Sequence, residues 1–99
     1  MFTINKSIEN GKGVLKPVGR LDTLTAPEME KVVKETVELV SELVIDLCSL
    51  EYVSSAGLRV LLAAQKAMNS KGKMIVKNAN ETVAEIFEVT GFVDILDIE

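Results

Sequence analysis

From Val14 onward the apolar residues switch repeatedly between two spacings, and that alternation limits the fold more than any other feature. "VLKPVG", "LVIDLCSL" and "KMIVKNA" are short apolar runs of the kind that form strands. Between and after them lie "TAPEMEKVVKETVELV", "SSAGLRVLLAAQKAMNSKG" and "NETVAEIFEVTG", whose apolar residues recur at helical spacing. Strands separated by helices lie parallel and are joined by right-handed crossovers. The opening "MFTINKSI" alternates instead, with Phe2, Ile4 and Ile8 on one face, and "ENGKG" supplies turn chemistry. The chain therefore begins with an antiparallel hairpin, and the sheet is mixed. The expected order is β-β-α-β-α-β-α, with a last turn and short strand in "FVDILDIE". No linker, repeat or low-complexity segment interrupts it, so residues 1–99 read as one α/β domain on a mixed sheet of four to five strands.

Local signals sharpen the elements. Thr25 and Glu28 have capping-box spacing, Pro27 sits in the first turn, and Met29, Val33, Thr36, Val37 and Val40 share a face. In the second helix Leu58, Leu61, Leu62 and Met68 form the stripe to be buried, and Gly72 ends it. Asn80 opens the third, Val83, Ile86 and Phe87 face inward, and Gly91 lies past its end. Pro17 lacks a ladder donor, which predicts an edge, a bulge or an early end to pairing there. Cys48, at the end of an apolar run, reads as a small core filler with no further role.

Composition removes several classes of function. With 99 residues, 47% of them apolar, the chain is large enough for one core without metal or disulfide staples. Net charge is −4 with acids and bases interleaved, which gives no footprint for nucleic acid or an anionic membrane. The single cysteine cannot form an internal disulfide, the charged N-terminus is unlike a signal peptide, and no apolar run approaches the ~20 residues of a membrane span. A cytoplasmic monomer without metal or cofactor is the expectation. There is no histidine, so chemistry near neutral pH would need shifted carboxylates, lysines or a metal.

"EYVSSAGLRVLL" then poses the functional question, since Ser54 and Ser55 stand between an apolar run and a helix. A nucleophile elbow needs Gly-x-Ser-x-Gly; Gly57 is present, but Val53 occupies the first glycine position, and a Ser-His-acid triad is impossible. A phosphate-cradling loop needs several glycines and a lysine, whereas this one has a single glycine and Arg59 as its nearest base. A phosphoacceptor aspartate is unsupported, because Asp46 has no acidic pair for a metal near the first strand–helix junction. Two readings remain. One serine caps the helix, the simpler reading on physical grounds, or a serine at an exposed helix start is a phosphorylation switch.

Three segments, in order, resemble the STAS domain family and within it the bacterial anti-sigma factor antagonists: "GRLDTLTAPEME", "LVIDLCSLEYVSSAGLRVLL" and "ETVAEIFEVTGF". The resemblance implies a non-enzymatic module that, unphosphorylated, binds an anti-sigma factor serine kinase and so frees a sigma factor. The kinase switches it off by phosphorylating one serine, and a metal-dependent serine phosphatase restores it. Aligning Gly57 and Leu58 with the family's Asp-Ser-Ser/Thr-Gly-Leu loop puts the acceptor at Ser55, with Ser54 the alternative. The implied partner surface comprises Asp22, Thr23, Ser54, Ser55, Ala56, Gly57 and Arg59. Ser54 stands where many antagonists have aspartate, and Ala56 replaces the second hydroxyl residue. Family members often continue into another helix; where that helix is absent, residues 92–98 or a partner are expected to close part of the core. The alternative within the family is an unphosphorylated STAS subunit that docks on a membrane transporter.

Overall fold

Asn10 and Gly11, with φ of 54° and 78°, make a two-residue turn whose left-handed residues match the twist of the strands on either side. It joins β1 (Thr3–Glu9) to β2 (Lys12–Leu21) in antiparallel pairing. There follow α1 (Ala26–Val37), β3 (Glu42–Asp46), β4 (Leu50–Val53), α2 (Ser55–Asn69), β5 (Lys73–Lys77) and α3 (Glu81–Thr90). A 3-10 turn over Phe92–Asp94 and a single parallel bridge from Ile98 to Val76 complete the fold. This structure is a computed structural model and describes residues 2–99; Met1, the first residue of the opening run, lies outside the described residues. The expected class, an α/β domain with an N-terminal hairpin and mixed sheet, is what forms.

β4 is the element that the sequence reading does not separate. The run "LVIDLCSL" suggests one strand, but β3 stops at Asp46 and the chain turns through Leu47–Ser49. The Leu47 amide donates to the Lys77 carbonyl at 2.9 Å, and the Leu50 amide to Leu47 at 3.0 Å. The Asp46 carboxylate fixes that turn, accepting from the Cys48 amide at 3.1 Å and from Asn78 Nδ2 at 3.0 Å. Partial burial pushes the Asp46 pKa up, but these hydrogen bonds and nearby Lys77 outweigh it and hold the carboxyl below its ordinary range.

The sheet order is β1-β2-β3-β5, with β4 paired to β2 beyond the end of β3. β2 thus has two parallel neighbours in succession: β3 along Lys12–Leu15 and β4 along Gly19–Leu21. Pro17 falls in the gap between them, where no ladder on that side needs its missing N–H. Pairing with β3 ends before it, and a bulge follows between Gly19 and Arg20.

Leu15, Ile45, Met74 and Val76 from the sheet meet Met29 and Val33 of α1, Leu61 and Met68 of α2, and Phe87 of α3 in one core. Val14, Val44 and Ile75 lie in register across three strands and, by the pleat, point to the opposite face. The helices therefore form one layer and the sheet the other. Three sequence expectations need correction. Ile8 is exposed, because β1 is the edge strand of the sheet. Leu62 is only half-buried, and Ala64 and Gln65 complete the inward face of α2 instead. Cys48 is exposed rather than core, because the chain has already left the sheet when it reaches that position.

Candidate functional site

β2 and β4 end side by side, with Leu21 opposite Val53. Parallel neighbours release the chain at the same edge of the sheet, once into the 22–25 loop and once into Ser54. The Ser54 amide donates to the Leu21 carbonyl at 2.9 Å, which ties the two exits together.

Ser54 and Ser55 stand differently at the start of α2. Ser54 is extended, with φ −94° and ψ 177°, and its Oγ accepts from the Gly57 amide at 3.4 Å. The Leu58 amide donates to the Ser54 carbonyl at 2.9 Å, the first bond of α2. Ser54 is therefore the cap, and half-buried. Ser55 is the first residue of the helix, and its side chain is exposed. Gly57 lets this start approach the sheet: a Cβ there would lie 2.7 Å from the Leu21 and Val53 side chains and 3.0 Å from the Leu21 carbonyl oxygen. Only a residue without a side chain fits that approach. No acidic residue occupies the first turn of α2, so the positive end of the helix is unopposed within it.

The neighbouring loop is held by Asp22. Its carboxylate accepts from the Leu24 amide at 3.0 Å and the Thr25 amide at 3.2 Å, while its carbonyl accepts from the Ala26 amide at 2.8 Å. The expected capping box of Thr25 and Glu28 does not form from Thr25, whose side chain makes no cap bond to α1. Its hydroxyl donates back to the Arg20 carbonyl at 2.8 Å and accepts from the Asp22 amide at 2.9 Å. The loop competes for Thr25 and wins, because closing it satisfies two backbone groups beyond the reach of the helix. Leu24, in the same fixed loop, is 90% exposed. Sequence reasoning passes over it, since one leucine in a polar stretch has no periodicity to mark it.

Thr23, Ala56 and Arg59 come together as the wall of one shallow depression, floored by Ala26 and Val60. Arg59 lies one turn after Ser55 on the same side of α2. Ser54 and Gly57 stand behind this surface as supports, and the Asp22 carboxylate is turned into its own loop.

The sequence pattern of the STAS domain matches residues 3–99. The chain belongs to the STAS domain family. An anti-sigma-B factor antagonist of Staphylococcus epidermidis is 29% identical to it over 86 residues, 85% of this chain and 80% of that protein. The crystal structure of an anti-sigma factor antagonist from Mycobacterium paratuberculosis has the same fold, with a TM-score of 0.90 at 24% identity, covering 99% of this chain and 85% of that one. The anti-sigma factor antagonist SpoIIAA in its unphosphorylated form matches at a TM-score of 0.81 and 17% identity, over 100% of this STAS domain and 88% of that chain. Among the described residues, no helix of this STAS domain is long and apolar enough to cross a membrane.

Proposed function

We propose that this STAS domain is an anti-sigma factor antagonist that acts by exchanging partners. Unphosphorylated, it binds an anti-sigma factor serine kinase in the cytoplasm and frees a sigma factor. Phosphorylation of Ser55 ends that binding, and a metal-dependent phosphatase restores it. The observation that carries the reading is the division of labour between the two serines: Ser54 makes the cap, and Ser55 stands exposed at the helix start. A phosphate on Ser55 would add about −1.5 to −2 charges near unpaired amides and the positive end of α2. The free fold tolerates that charge, whereas an opposed surface must desolvate it. Thr23, Leu24, Ala56 and Arg59 supply the rest of the contact, and Asp22 holds the loop that presents them.

The test is binding to a cognate kinase-fold anti-sigma factor, measured by calorimetry for wild type and two Asp22 variants. Asp22→Asn keeps an acceptor for the Leu24 and Thr25 amides and should melt close to wild type. Asp22→Ala removes it and should lose about 1 kcal/mol of stability. Asp22→Asn, which keeps the loop, should bind close to wild type, and Asp22→Ala more weakly because Leu24 is released with the loop. Wild-type affinity in Asp22→Ala would remove the loop from the contact surface, and no binding by the wild-type protein would refute the antagonist reading.

A further inference from the structure

Away from the switch, α1 and α2 do not close against each other completely. On α2, Val60, Ala63, Ala64 and Ala67 fall at helical spacing on the side facing α1, and three alanines keep that wall low. Val33 and Val37 form the facing wall. Between them runs an open groove whose lining is almost wholly apolar. Val33, Val37, Val60 and Ala64 are buried by the fold itself, whereas Ala63 is exposed and Ala67 half-exposed, so the groove presents carbon to solvent along its length. Its rim carries Glu30, Glu35, Glu38 and Lys34, with the acids along the α1 side of the groove, and at one end the Lys71 ammonium donates to the Val37 carbonyl. The groove is also continuous with the depression at the switch, because Glu30 and Val60 line both.

We infer that this groove receives a basic amphipathic helix of the protein partner, which enters from the Ser55 end and lies along α1 and α2. The inference rests on the antagonist reading, which places the partner at that end. Apolar side chains of the incoming helix at i, i+3 or i+4 and i+7 would fill the space above the alanines. Lysine or arginine on its flanks would face Glu30, Glu35 and Glu38. From Val60 to Ala67 the wall extends about 10 Å, or two helical turns, which sets the least length of the occupant. The acidic rim argues against nucleic acid or an anionic lipid surface as the occupant, since both would be repelled.

A labelled 18-residue Leu/Lys amphipathic peptide, helical by design, provides the probe, titrated into the isotope-labelled protein and followed by amide chemical shifts. The expected result is shifts concentrated at Val60, Ala63, Ala67 and Glu35. Ala63→Trp, which fills the groove from an exposed position without changing charge, should weaken peptide binding at least tenfold with an unchanged melt. The pair Glu35→Lys and Glu38→Lys should weaken it similarly. Shifts spread over the whole acidic surface, saturable binding that Ala63→Trp leaves unaltered, or self-association of the protein through this face in place of peptide binding would each overturn the inference. Ala63→Trp and Ser55→Asp are then compared against the kinase-fold protein. Weaker binding by both supports the groove as part of that interface. If Ser55→Asp weakens binding and Ala63→Trp does not, the groove inference fails and the antagonist reading stands. If neither changes binding, both fail.

Discussion

Ser55→Asp should weaken binding to the partner kinase about 100-fold or more while leaving the melting temperature within a few degrees of wild type. The two halves of that expectation come from one position. Ser55 is exposed at the first residue of α2, where a carboxylate clashes with nothing and gains a few tenths to ~1 kcal/mol from the helix end. In a complex the same carboxylate must give up its water. If the partner offers no matching cation, the cost is several kcal/mol, enough for the loss in affinity. Ser54→Asp provides the control. Aspartate caps helices as well as serine does, so charge one residue earlier should leave both fold and binding largely intact. Equal loss of binding in both variants would mean that the partner senses charge at this edge generally, not at Ser55.

Gly72→Ala should be the most destabilising small substitution in the chain, by about 3 kcal/mol, which lowers the melting temperature of a domain this size by roughly 12–24 °C. The reason lies at the end of the sheet remote from the serines. The Ser41 amide donates to the Gly11 carbonyl at 2.9 Å, and the Ser41 carbonyl accepts from the Lys73 amide at 3.1 Å. Ser41 thus joins the hairpin turn, the start of β3 and the start of β5. A Cβ on Gly72 would lie 1.8 Å from that carbonyl oxygen and 2.8 Å from its carbon. These are backbone atoms, so relief requires moving one strand or the other. Gly91→Ala is the contrasting case: its φ of 80° strains any side chain, yet nothing lies within 4 Å of the added carbon. That strain alone costs about 1–2 kcal/mol. Chemical denaturation of both variants checks the ranking. A Gly72→Ala protein as stable as Gly91→Ala would mean that the two chain segments do not cross as closely as described.

The fold was largely legible in the sequence wherever a period ran for ten residues or more. α1 and α3 are marked by their inward faces, and the Asn10–Gly11 turn by its residues. β4 was not legible, because four residues, Leu50 to Val53, are too few to show alternation and directly follow another apolar run. Pro17 is legible as an edge, a bulge or an early end to pairing, and pairing with β3 does end before it. Its actual place, where β2 exchanges one neighbour for another, depends on a strand pairing that the sequence does not display. At the candidate site, the helix start could be placed, but the roles of the two serines could not. Either can cap, and only the φ and ψ of Ser54 and its bond to Gly57 decide which one does. Thr25 does not cap for a related reason: its hydroxyl oxygen accepts from the Asp22 amide in place of a first-turn amide of α1, and it donates to the Arg20 carbonyl five residues back. Leu24 and the α1–α2 groove were invisible, because exposure at fixed positions belongs to the folded chain.

The central claim, that Ser55 is the switch, is tested most directly by site mapping. Wild type, Ser54→Ala and Ser55→Ala are incubated with the kinase-fold anti-sigma factor and ATP, and phosphopeptides are sequenced by mass spectrometry. The account predicts one phosphate on Ser55 in the wild type and in Ser54→Ala, and none in Ser55→Ala, which should stay bound to the kinase. Phosphate on Ser54 that survives Ser55→Ala, or no phosphoserine in any of the three while the kinase is active on another substrate, would contradict it.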